Sequence, residues 1–188
     1  MAIKIYIDQG HNPVNPNAGA EGNGLREPNI VFRIGIELAD LLEGDDRFEV
    51  RLSRPTEDTQ IGTSNSTSLR LRVEDANSWG ADYFLSLHTN ASEIASATGS
   101  EALVYRQPSV AADLGADILK WLNRFTGLQN RGVKTRTNLY VLRRTAMPAV
   151  LVELGFISNY DDAMLMLERP ALFAEGIYNG LLDYFGFL

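Results

Sequence analysis

Ala149-Val150-Leu151-Val152-Glu153-Leu154-Gly155-Phe156 is the stretch whose reading decides the fold. A run this apolar predicts a strand covered on both faces, as in sheets of parallel strands flanked by helices. Glu153 interrupts it near the C-terminal end, where open α/β sheets keep their ligand sites. A carboxylate there is costly to desolvate unless something positive stands opposite it.

Working outward, Ile3–Asp8, Phe48–Ser53, Asp82–His88 and Glu101–Tyr105 also read as strands. Glu27-Pro28 opens a helix, because proline suits the first helical turn, with Glu27 expected at the N-cap. Its apolar stripe is Ile30, Ile34, Leu38, Leu41 and Leu42. Leu69–Trp79 fits a short helix, and Val110, Leu114, Ile118, Trp121, Leu122 and Phe125 mark a stronger one. Asn138–Leu142 is expected as a short strand, and Asp161–Glu168 and Pro170–Phe185 as closing helices. Arg54–Ser68 is Ser/Thr-rich and long for a simple connection. Strands alternating with helices predict a three-layer α/β fold, a mostly parallel twisted sheet with helices on both faces.

The 188 residues are expected to form one catalytic domain, residues 1–188. The chain carries no cysteine, which excludes disulfides and thiolate metal sites. Its net charge of −7 argues against nucleic acid or an anionic membrane as partner. No apolar run is long enough to span a bilayer. The strand pattern starts at once after Met1, leaving no room for a signal peptide.

The chain has two histidines, and each stands where a buried strand runs out: His11 after Ile5–Gly10, His88 after Phe84–Leu87. Parallel strands linked by right-handed crossovers end on one sheet edge. His11, His88, Glu153 and the helix-start Glu27 can therefore converge there. Two imidazoles, a carboxylate and an open position make a catalytic zinc site. Spacing alone leaves the other reading standing, that each histidine is a hydrogen-bonded loop residue, because no compact His-Glu motif is present.

The order of motifs says more. IDQGHN (7–12), NAGAEGNGLRE (17–27), VRLSR (50–54), LRLRVEDAN (69–77), GADYFLSLHTNA (80–91), NRGVK (130–134) and LYVLRRTAMPAVLVELGFISN (139–159) follow one another along the chain. Together they resemble the zinc-dependent N-acetylmuramoyl-L-alanine amidases, the cell-wall amidases of bacterial autolysins and phage endolysins. The resemblance implies one Zn2+ per chain, held by His11, Glu27 and His88, with Glu153 as the catalytic glutamate. It implies hydrolysis of the bond between N-acetylmuramic acid and L-alanine in peptidoglycan. This sequence departs from the family at Gln9, at Asn12-Pro13 and at Pro28-Asn29, none of which is a ligand. Only Ser92–Ser100 separates the second histidine's strand from the next, which implies a site without a regulatory plug.

Other residues carry lesser expectations. Asp8 is a candidate partner for a ligand imidazole or a strand-end cap. Asn90 is a candidate substrate contact or turn former, and Arg143 a candidate contact for a peptide-stem carboxylate. Arg54, Arg72 and Asn77 read as structural, and Trp79 and Trp121 as core. The expected partners are the glycan strand and stem peptide, with a separate wall-binding module outside this chain and a monomeric state. The expected place of action is the bacterial cell wall, reached by phage-type or lysis-dependent release. A zinc peptidase of carboxypeptidase type, or a non-catalytic wall-binding module on the same scaffold, are the rival functions.

Overall fold

The apolar run forms strand β8 (Ala149–Phe156), buried at every position but Glu153. The computed structural model describes residues 2–188. The other strands of the main sheet are β1 (Ile3–Gln9), β4 (Phe48–Leu52), β5 (Tyr83–Asn90), β6 (Ser100–Val104) and β7 (Asn130–Thr135). They lie in the order β4-β1-β5-β8-β6-β7. Every neighbouring pair is parallel except β8 with β6. A small hairpin of β2 (Glu21–Gly22) and β3 (Leu25–Arg26) stands apart from the sheet.

Alternation along each strand sorts the side chains into two cores. Ile5, Ile7, Leu85, Leu87, Val150 and Val152 join the larger one. The helices on that face are α1 (Glu27–Glu43), α3 (Val110–Thr126) and α6 (Pro170–Tyr184). Helices α3 and α6 approach closely because Gly176 and Gly180 carry no Cβ; one added there would come within 2.6 Å of α3 backbone. Tyr6, Phe84, Leu103 and Leu151 face the smaller core, under α2 (Asn65–Trp79) and α4 (Tyr140–Arg144). Asp8, Ser86, His88, Glu153 and Glu101 continue this second face toward the sheet edge, by the registers Asp8↔Ser86, His88↔Glu153 and Glu101↔Glu153. Helix α5 (Tyr160–Glu168) follows β8 directly.

Three local expectations change. Residues 138–142 do not form a strand; Tyr140–Arg144 is a one-turn helix. Its Val141 and Leu142 are buried against the sheet, and an apolar pair this short fits a strand period and a helix period equally. Strand β7, polar and half-exposed, stands at the sheet edge where it needs few apolar residues. The Ser/Thr stretch ends in a capping box: Ser64 Oγ accepts from Thr67 N, and Thr67 Oγ1 accepts from Ser64 N. Helix α2 therefore starts at Asn65, earlier than its apolar residues suggest. Glu27 is the first helical residue, and Arg26 takes the cap position.

A candidate metal centre at the sheet edge

Each donor is carried by a different element. Strand β1 runs out through Gly10 into His11, whose φ of 65° turns the chain sharply back across the edge. Helix α1 opens with Glu27, and β5 presents His88. The ligand atoms of His11, Glu27 and His88 all lie within 4.8 Å of one another. His11 Nε2 stands 3.1 Å from Glu27 Oε2, and His88 Nδ1 stands 3.1 Å from Glu27 Oε1.

Glu27 is only 2% exposed, so its charge must be met inside the protein. Main-chain N–H groups of Ala20 and Thr89 donate to its two oxygens at 2.8 and 2.9 Å. Burial pushes the carboxyl up, but hydrogen bonds from His11 and His88 outweigh it and hold it far below the carboxylate range. His88 is pushed down by burial and raised by Glu27, with a net upward shift. His11 Nδ1 donates to Asn17 Oδ1 at 3.0 Å, which leaves Nε2 as its inward donor.

The donor chemistry fits a zinc ion: two imidazole nitrogens and one carboxylate, turned inward around a common point. The surrounding backbone leaves room for it only because it is glycine. A Cβ at Gly19 would come within 2.8 Å of Glu27 Oε2 and the His11 ring, and one at Gly10 within 2.5 Å of the His88 ring.

Glu153 lies in register with His88 on the adjacent strand. Its Oε2 is buried with no hydrogen-bond partner among the described residues. Burial pushes this carboxyl up to about 7; His88 lowers it, and Glu27 and Glu101 raise it further. A half-buried carboxyl poised near neutrality, beside a three-donor cup, is suited to taking and returning a proton. A cavity of about 220 Å3 opens beside the cup, lined by His11, His88, Leu69, Leu139, Tyr140 and Leu151.

The remaining candidates fall into place differently. Asp8 touches neither imidazole; it accepts from Arg72 and from Ser86 Oγ. Burial alone would raise the Asp8 carboxyl, but Arg72 beside it brings it below the ordinary value. Arg72 also donates to the carbonyls of Gln9 and His11, so the pair acts on the His11 turn through the backbone. Asn90 reaches Glu101 Oε1 at 3.4 Å on the site's side of the sheet. Arg143 is exposed on α4 in a separate cavity with Tyr105, Arg106 and Ser109, away from the cup. Trp79 and Trp121 are half-buried, with cations over their rings: Lys4 and Arg51 on Trp79, Lys120 and Arg124 on Trp121. Arg54 is fully buried and donates to the carbonyls of Pro28 and Glu57, while Asn77 bonds the backbone of Arg144 and Ala146. Asn17 was not singled out in the sequence; its one signal is its place in the Gly/Asn-rich loop after His11.

The fold, with its candidate centre at the C-terminal edge of the parallel strands, is of a kind that hydrolytic α/β enzymes carry. The family model described as N-acetylmuramoyl-L-alanine amidase matches residues 5–183, and the chain belongs to that family. It is 36% identical over 187 residues to the N-acetylmuramoyl-L-alanine amidase CwlM of Bacillus licheniformis, covering 97% of this chain and 69% of that one. It is 36% identical over 189 residues to the sporulation-specific N-acetylmuramoyl-L-alanine amidase of Bacillus subtilis (97% and 68% covered). Among solved structures, the catalytic domain of CwlV, an N-acetylmuramoyl-L-alanine amidase from Bacillus (Paenibacillus) polymyxa, superposes with a TM-score of 0.85 at 29% identity. That superposition covers 99% of each chain. Among the described residues no helix is long and apolar enough to cross a membrane.

Proposed function

We propose that this chain is a single catalytic domain that hydrolyses the amide between N-acetylmuramic acid and L-alanine in peptidoglycan at the cell wall. In this reading His11, Glu27 and His88 hold one zinc ion and Glu153 moves the proton. The observation that carries it is the juxtaposition of the three-donor cup with Glu153, its unpartnered Oε2 and its carboxyl near neutrality. A bound zinc would acidify a water molecule and polarise the lactyl carbonyl of the muramoyl amide.

The chain's own groups divide the remaining work. Asn17 keeps His11 in the tautomer whose Nε2 faces inward. The N–H groups of Ala20 and Thr89 hold Glu27 as a carboxylate between the imidazoles. Glu153 takes the proton from the attacking water and returns it to the leaving L-alanine nitrogen. A carboxyl left near 7 by burial can do both within one turnover, which an ordinary exposed glutamate does poorly.

Digestion of purified peptidoglycan with and without a chelator, followed by mass analysis, tests the reading. The expected products are intact glycan lactyl groups and new L-alanine amino termini, formed only without chelator. Cleavage between sugars or inside the peptide would sink it.

A further inference from the structure

The cavity that holds Arg143 opens at the edge of the sheet opposite the cup. It measures about 570 Å3, and its lining includes Tyr105, Arg106 and Arg143, with Ala149 at the foot of β8. Glu153 stands further along that strand, about 13 Å away at the rise of an extended chain. Arg144 follows Arg143 on α4. Arg136 N donates to Val104 O at 2.8 Å, which sets Arg136 beside the end of β6 that leads to Arg106. All four arginines are exposed, and none forms an ion pair among the described residues. Arg136 donates to Thr135 O, and the other three guanidinium groups donate to no protein acceptor among those residues. Acids that could balance them are engaged elsewhere. Between Val104 and Ala149 the acidic residues are Asp113 and Asp117, both on α3 near Asp183 and Tyr184 of α6. On α2, which packs against α4, Glu74 pairs with Arg70, and Asp75 with Arg51 and Tyr6. Along the same sheet edge, Asp82 accepts from Lys4 N and Glu49 pairs with Lys4. Arg33 and Arg169, also without ion pairs, stand singly on α1 and between α5 and α6. A chain of net charge −7 therefore carries one face of uncompensated positive charge.

We propose that Arg106, Arg136, Arg143 and Arg144 bind the phosphates of a flexible polymer of phosphodiester-linked polyols. Guanidinium groups present paired N–H donors that match two oxygens of one phosphate. The cavity between Arg106 and Arg143 has room for one phosphate and its flanking polyol. The face carries a single exposed aromatic ring, Tyr105 at 42%, whereas stacking of successive bases needs a row of them. The protein outside this face is acidic, so a stiff duplex or a flat anionic bilayer would meet repulsion along its length. A flexible polymer can lay a few phosphates on the arginines and keep the rest in solvent. Placing that polymer in the cell wall rests on the amidase reading above; the affinity for its phosphodiesters does not.

The test titrates a short synthetic glycerol phosphate oligomer into the purified protein and reads binding by calorimetry. The wild type is expected to bind at low salt and to release the oligomer as salt is raised. Arg106→Gln with Arg143→Gln should weaken binding about tenfold, the scale of two exposed charge-assisted contacts, with the thermal melt unchanged. Arg33→Gln with Arg169→Gln removes the same charge elsewhere and should bind as the wild type does. Absence of wild-type binding at low salt would overturn the proposal. So would equal losses in the two double variants, or a single-stranded oligonucleotide of the same phosphate number binding at least as tightly. Because binding is read without turnover, the two readings separate. Oligomer binding by a chain that does not digest peptidoglycan leaves the basic face and removes the amidase; digestion by a chain that ignores the oligomer removes the face alone.

Discussion

Asn17 Oδ1 accepts a hydrogen bond from His11 Nδ1 at 3.0 Å, and this contact selects the ring nitrogen that faces Glu27. The carboxamide is itself oriented, because its Nδ2 donates to Ser68 Oγ at 3.2 Å. Asn17→Ala should weaken zinc binding by about 10–100-fold with the fold retained. Competition with a chromophoric chelator measures this. Gly19→Ala should lose more, since its Cβ would collide with both Glu27 and the His11 ring at a φ of 76°. Zinc affinity at the wild-type level in either variant would contradict the geometry.

Glu153→Gln should abolish hydrolysis while leaving one zinc per chain by elemental analysis. The same variant makes a prediction about stability. A carboxyl whose folded value is raised from its usual range to about 7 costs stability once pH exceeds its unfolded value. Metal-free Glu153→Gln should therefore unfold at higher denaturant than wild type at pH 8, by about 1–3 kcal/mol, and match it near pH 4. Denaturation curves at the two pH values decide. Loss of zinc on this substitution would move Glu153 among the ligands.

Asp8 has the opposite sign. Its folded value is depressed by Arg72 and Ser86 against the effect of burial. It contributes stability that is complete above the unfolded value of about 3.9 and is lost as pH falls through the folded one. Wild-type stability should decline below about pH 4 more steeply than that of Asp8→Asn, as read from unfolding free energies at stepped pH. Parallel pH slopes would remove Asp8 from the acid response.

Arg72 is 1% exposed and bonds Asp8, Ser53 and two main-chain carbonyls. Arg72→Met strands the Asp8 charge and should destabilise by about 3–5 kcal/mol. Adding Asp8→Asn to Arg72→Met should recover part of that loss, because the stranded charge disappears. A double-mutant cycle in urea gives the coupling, and additive losses would show that the two residues do not act as a pair.

Much of this was legible because the physics was local. Strands β1, β5 and β8 are apolar runs, and His11, His88 and Glu153 stand where such runs meet polar residues. The proposed division, with Glu27 as ligand and Glu153 as proton carrier, came from the family resemblance, since the two glutamates look alike in a one-dimensional chain. Their environments differ only after folding: Glu27 lies between two imidazoles and two N–H groups, and Glu153 has one orphaned oxygen. Strand β7 hid because an edge strand needs few apolar residues, and α4 because five residues are too few to show a period. Asn17 and the Asp8–Arg72 pair were illegible as contacts, since each joins positions brought together only by tertiary structure.

The three donors stand at residues 11, 27 and 88, on a strand exit, a helix start and a neighbouring strand. No short segment contains two of them in binding geometry, so an ion held there would report the whole sheet edge, not a local turn. Metal capture would then coincide with completion of the fold and add its binding free energy to it. A chain caught before β1 and β5 pair would hold neither the ion nor the chemistry. The enzyme would thus be inert until its central strands are in register, and chelation would lower stability and remove activity together.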